Sequence, residues 1–129
     1  MTDDELLDAA RAVREQAHCP YSNFRVGAAL IDDQGNLHVG CNVENAVYSL
    51  VSCAEAGAIS TMVAAGGKRI VSIAVAGGGE NTCACPPCGG CRQRIQEFSD
   101  DTTRIIFKDN DDEWHTSTMD ELLPSSFHL

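Results

Sequence analysis

The chain has 129 residues, with 9 Lys and Arg against 19 Asp and Glu and a net charge of −10. That length suits one domain around one packed core, read here as the whole of residues 1–129. So acidic a chain without a basic run argues against a nucleic-acid partner, because such affinity rests on neutralising phosphates with Lys and Arg; it points instead to free small molecules. No apolar stretch approaches membrane-spanning length. The opening Thr2-Asp3-Asp4-Glu5 lacks the apolar segment of a secretory signal, so a cytoplasmic location is expected.

Thr2 and Glu5 form a capping box, and Leu6, Leu7, Ala10, Val13, Arg14 and Ala17 follow at helical spacing. This predicts a first helix that Pro20 closes. Val26 to Ile31 is a short apolar run, Asp32 to Asn36 a turn, and Leu37 to Cys41 a returning strand, so the three make a hairpin. Ser52 to Ala65 is Ala-rich and helical, ending at Gly66-Gly67. Ile70 to Ala76 is continuous, apolar and β-branched, as in a buried central strand. Gly77 to Pro87 reads as loop, Gly89 to Phe98 as helix, and Arg104 to Lys108 and Trp114 to Thr116 as strands. Thr118 and Glu121 open a short last helical turn that Pro124 ends. Strands alternate with helices, so the class is α/β with helices on both faces of a sheet.

Two segments carry the chemistry: Cys53-Ala54-Glu55 and, downstream, Pro87-Cys88-Gly89-Gly90-Cys91. Cys53, Cys88 and Cys91 supply three thiols, and Glu55 an unpaired carboxylate. Three protein ligands leave a tetrahedral Zn²⁺ one open position, the mark of a catalytic rather than a structural site. A carboxylate two residues from a ligand can stand beside that position without binding the metal. This is the pattern of zinc nucleobase deaminases, in which a non-ligand Glu is the general acid and base. All three cysteines fall where helices are predicted to begin, and free N–H groups and partial positive charge there favour thiolate. Taken alone, C-x-x-C is more often a structural knuckle or a redox pair. A structural site needs four ligands, however, and no second pair has the spacing.

The other cysteines and histidines read as filling. Seven cysteines, an odd number, argue against a disulfide framework. Cys19 and Cys41 are expected to be small buried hydrophobes, and Cys83 and Cys85 are not expected to be ligands. His18, His38, His115 and His128 lack metal-ligand spacing. A further stretch, Gly40 to Tyr48, follows a strand, and its Asn42 and Glu44 alternate so that both can face one side. An amide and a carboxylate together can hold vicinal hydroxyls.

From Cys19-Pro20-Tyr21-Ser22-Asn23-Phe24 to Leu122-Leu123-Pro124-Ser125-Ser126-Phe127 the chain resembles the cytidine deaminase family, in its small form with three cysteine ligands. The resemblance implies a three-layer α/β/α sandwich around a five-stranded mixed sheet. It implies one Zn²⁺ per subunit on Cys53, Cys88 and Cys91, with Glu55 catalytic. It implies hydrolytic conversion of cytidine and 2′-deoxycytidine to uridine and 2′-deoxyuridine, with loss of ammonia, in pyrimidine salvage. Asn42 and Glu44 are then expected on the ribose, Phe24 against the base, and Ala54 at the substrate. Tyr48 and Phe127 are expected near a neighbouring subunit's site, which implies a homotetramer. A blasticidin-S-like deaminase of a modified aminopyrimidine nucleoside is the nearest alternative enzyme, and a non-catalytic structural zinc module the alternative outside enzymes. One departure stands out: the family commonly carries Arg directly after Cys-Ala-Glu, and this chain has Ala56. Either the two helix starts suffice to make up for the missing charge, or Arg92 or Arg94 is expected to supply it. Arg92, nearer the ligands in sequence, is the first choice.

Overall fold

The computed structural model describes residues 1–129. The first helix, α1, runs Asp3–Arg14, and its capping box is formed in both directions between Thr2 and Glu5. It ends well before Pro20, so the expected continuation through Ala17 does not occur. Two turn hydrogen bonds close it, Gln16 N–H to Val13 and Ala17 N–H to Arg14. The chain then extends, and His18 bridges Val43. Tertiary pairing wins over helical spacing here, because that bridge anchors the loop that carries Asn42 and Glu44.

The hairpin forms as predicted, from β1 (Arg25–Asp32) and β2 (Leu37–Cys41) in antiparallel register. Its turn is held by Asp32, whose Oδ1 accepts from the N–H groups of Gln34 and Asn36, both at 2.9 Å. His38 completes the knot at 2.8 Å from the other Asp32 oxygen, a buried pair consistent with core filling.

Helix α2 (Ala54–Ala64) leads into β3 (Ile70–Gly78), the central strand. A two-residue strand, β4 (Thr82–Cys83), pairs back onto β3 inside the segment expected to be loop. Helix α3 (Gly89–Glu97), β5 (Arg104–Lys108), β6 (Trp114–Ser117) and α4 (Met119–Leu122) complete the order.

Five strands lie in the order β2-β1-β3-β5-β6, with β4 hanging from β3. Only β3 and β5 are parallel, so the sheet is mixed. Both faces are covered, which explains the unbroken apolar character of β3. On one face Leu6, Leu7 and Ala10 of α1 pack against Ala29, Ala74, Ala76 and Ile106. On the other, Ala54, Ala58 and Met62 of α2, Ile95 of α3 and Leu122 of α4 pack against Ala28, Leu30, Ile73, Val75 and Ile105. The result is a three-layer sandwich. Each large side chain fully buried in these layers contributes about 1.5–3 kcal/mol.

Candidate metal and acid–base site

The zinc-type ligands are brought together by two helix starts on the same side of the sheet. Cys53 is the N-cap residue of α2 and Cys88 that of α3. Neither side chain caps its helix, so both sulfurs are free to face a common point. Cys91, one turn into α3, is buried at 1% exposure. The ligand atoms of Cys53, Cys88 and Cys91 all lie within 4.8 Å of one another. Sulfurs sharing a tetrahedral zinc at about 2.3 Å must stand less than twice that distance apart, so the cluster needs only slight closure. The soft thiolate set also fits zinc.

Position of α2 depends on Gly40. A Cβ there would lie 2.4 Å from the Ala58 nitrogen and 2.5 Å from the Ala54 oxygen. Only glycine lets β2 approach the first turns of α2 so closely, and those turns carry Cys53 and Glu55.

Glu55 sits in the first turn of α2 and is 5% exposed. Burial raises its pKa, opposed by its own backbone N–H, by Cys91 and by the charge of Arg94. A carboxyl so placed accepts and returns protons nearer neutrality than a surface Glu. Cys91 is pushed well above its ordinary thiol value by burial first, then by Glu55 and by Cys53. A divalent cation bound by the sulfurs inverts that balance and favours thiolate. Cys85 is raised to about 12, mainly by burial. It stays a neutral thiol, in keeping with a packing role: it lies against Gly77, where an added Cβ would meet its sulfur at 2.5 Å and Phe24 at 3.2 Å. Cys83 is exposed, Cys19 is buried, and Cys41 is half-buried.

The loop expected to hold a ribose is tied down by side-chain bonds to backbone. Asn42 Oδ1 accepts from Val26 N–H at 2.8 Å, and its Nδ2 donates to the Phe24 carbonyl at 2.9 Å. Glu44 Oε1 accepts from the N–H groups of Tyr21 and Ser22 at 3.0 and 3.2 Å, and Oε2 accepts from the Ser22 hydroxyl at 2.6 Å. The Ser22 hydroxyl, more than the two N–H groups, holds the Glu44 pKa below the usual carboxylate range. Both residues therefore clamp the Tyr21–Val26 segment, which presents Phe24. Ser22 was not anticipated from the sequence, since its contact spans 22 positions.

Other expected site residues fall as follows. Phe24 is 37% exposed. Ala54, the first residue of α2, is fully buried in the core. Tyr48, in a short 3₁₀ turn, is 80% exposed, and Phe127 is 70% exposed. A hollow of about 250 Å³ is lined by Tyr21, Ser22, Glu44, Asn45, Tyr48 and Val51. A larger one of about 540 Å³, between Ala17–Pro20 and Gly79–Glu80, includes none of the three cysteines or Glu55.

The expectation for Arg92 is corrected. Its Nε donates to the Pro87 carbonyl at 2.8 Å and its Nη1 to the Leu122 carbonyl at 2.9 Å. Arg92 thus fastens the ligand loop to α4. It is Arg94 that reaches the thiols, with Nη1 at 3.6 Å from Cys91 Sγ.

Residues 1–108 match the family described as the cytidine and deoxycytidylate deaminase zinc-binding region. The chain belongs to that family. Among similar proteins is a cytidine deaminase of Sporosarcina psychrophila, 36% identical, with 98% of this chain and 92% of that one covered. A probable cytidine deaminase of Dictyostelium discoideum is 39% identical, covering 98% of this chain and 86% of the other. A crystal structure of cytidine deaminase from Burkholderia pseudomallei superposes with a TM-score of 0.88 at 40% identity, covering 98% of this chain and all of that one. Membership of this zinc-binding deaminase family and the Cys53, Cys88, Cys91 cluster agree on one metal site.

Proposed function

We propose that the protein catalyses zinc-dependent hydrolytic deamination of cytidine and 2′-deoxycytidine, giving uridine or 2′-deoxyuridine and ammonia. One observation carries this reading: three convergent thiols and a buried, non-ligand Glu55 in one site. Cys53, Cys88 and Cys91 hold the zinc. When bound, the metal supplies a nucleophile from water at neutral pH by lowering the water pKa from ~15.7 to about 7.

Glu55 does the proton work. Its carboxylate takes a proton from the attacking water and passes it to N3 of the pyrimidine. As oxygen adds at C4, Glu55 carries the second water proton to the amino nitrogen, the C4–N bond breaks, and ammonia leaves. Burial favours this exchange, because the raised pKa lets one group act as both base and acid.

Substrate placement falls to the clamped loop. Glu44, held ionised by Ser22, and Asn42 each retain lone pairs or N–H capacity for the sugar hydroxyls. Phe24 packs against the base, and Ala54 contributes backbone. Tyr48 and Phe127 project from the subunit and complete a neighbour's site in a homotetramer. Exposed Val43, Val47, Leu50 and Val51 around Tyr48 support such an interface. The protein acts as one domain in cytoplasmic pyrimidine salvage, in keeping with seven free thiols.

Ammonia release tests the reading, with cytidine, deoxycytidine, cytosine and blasticidin S offered in turn. The two nucleosides are expected to react, and release only from blasticidin S would reassign the substrate.

A further inference from the structure

Three thiolates outweigh the charge of a divalent ion, so a zinc held by Cys53, Cys88 and Cys91 carries excess negative charge. The buried Glu55 carboxylate adds to it. Such a site makes the zinc a poorer Lewis acid unless positive charge stands close. The helix starts of α2 and α3 supply partial charges only. Ala56, directly after Glu55, brings none, and Arg92 directs its Nε and Nη1 to the backbone carbonyls of Pro87 and Leu122.

Arg94 is placed differently. It lies three residues after Cys91 on α3, so both point from the same face of the helix. Its Nη1 stands 3.6 Å from Cys91 Sγ. The guanidinium rests over the first turn of α3, where Gly90 leaves room: a Cβ at that position would lie 3.3 Å from Nη1 and 4.0 Å from Cys88 Sγ. Arg94 forms no ion pair with a carboxylate, unlike Arg11, Arg14, Arg25, Arg69 and Arg104. Its charge acts on the thiols and, more weakly, on the buried Glu55 beside them.

We propose that Arg94 is the positioning cation of the metal site, holding the Cys91 thiolate and offsetting the excess negative charge of the zinc cluster. This rests on the assignment of Cys53, Cys88 and Cys91 as ligands, and it makes Arg94, through sulfur, a determinant of how tightly zinc is kept. Arg94 is exposed, so solvent screens part of its effect, which therefore falls near the lower end of the 10–100-fold range typical of groups supporting metal ligands.

Zinc affinity of the loaded protein, read by competition with a fluorescent chelator, tests this directly in wild type, Arg94→Ala, Arg94→Gln and Arg94→Lys. We expect about a tenfold loss in the Ala and Gln variants, with most of it restored by Lys. In cobalt-substituted protein, the thiolate-to-metal charge-transfer band is expected to move to lower energy in Ala and Gln and to hold in Lys. Wild-type affinity and band position in both the Ala and Gln variants would overturn the proposal, as would equal losses in Gln and Lys. These readouts involve no substrate, so they stand apart from the deaminase reading. A wild-type chain that fails to take up one zinc per subunit would instead defeat the ligand assignment.

Discussion

Gly40 of β2 and Ala58 of α2 meet backbone to backbone, so closely that a Cβ on Gly40 would lie 2.4 Å from the Ala58 nitrogen. This contact sets the height of α2 above the sheet, and thereby where Cys53 and Glu55 stand relative to α3. Gly40→Ala must push the helix outward. Overpacking of this kind costs about 1–3 kcal/mol. Thermal unfolding of the variant is expected several degrees below wild type, with zinc affinity reduced as well. An unchanged melting temperature would show that α2 is positioned by something else.

Glu55 is expected to be dispensable for the metal and indispensable for turnover. Glu55→Gln and Glu55→Ala should each keep one zinc per chain. Deamination should fall by at least about 100-fold, since a positioned acid–base group contributes roughly 10² to 10⁴. Metal content and steady-state rates on the same preparations decide the point, and near-normal rates would remove Glu55 from the proton path.

The Glu44 clamp has a pH signature. Its folded pKa is lowered, chiefly by the Ser22 hydroxyl. The clamp's contribution is therefore complete above the unfolded Glu value of about 4.3 and is lost as pH falls through the lower folded value. Ser22→Ala should raise that folded value, so that KM for cytidine begins to climb at a higher pH on the acid side. Identical acid limbs in wild type and Ser22→Ala would show that the hydroxyl does not hold the carboxylate.

Arg92→Ala should weaken the ligand loop without removing charge from the thiols. Two hydrogen bonds from a charged donor, to Pro87 and Leu122, disappear. Each such bond is worth about 1.5–3 kcal/mol, partly recovered by water. A lower melting temperature is expected, with the cobalt charge-transfer band unmoved. A band shift equal to that of Arg94→Ala would mean that both arginines act on the sulfurs.

The fold was largely legible, because capping boxes at Thr2 and Thr118, the Asp32–Asn36 turn and the apolar run of β3 are local signals. The first helix stops early for a reason no local pattern contains: His18 pairs with Val43, 25 positions away along the chain. The meeting of the Cys53, Cys88 and Cys91 thiols near Glu55 was legible because helix starts fix those residues. Distance along the chain misled at Arg92. On a helix the next residue turns about 100° away, whereas the third returns to the same face, which favours Arg94. The bonds of Asn42 and Glu44 to the Tyr21–Val26 segment span 16 to 23 positions, and no local pattern contains them.

The most direct test follows the ultraviolet absorbance of cytidine mixed with zinc-loaded protein, with and without prior stripping by a chelator. The account predicts one zinc per chain, a steady fall in cytidine absorbance, loss of that fall on stripping, and its return when zinc is restored. A protein that holds zinc on Cys53, Cys88 and Cys91 yet leaves cytidine, deoxycytidine and blasticidin S unchanged would contradict it and leave a structural zinc module.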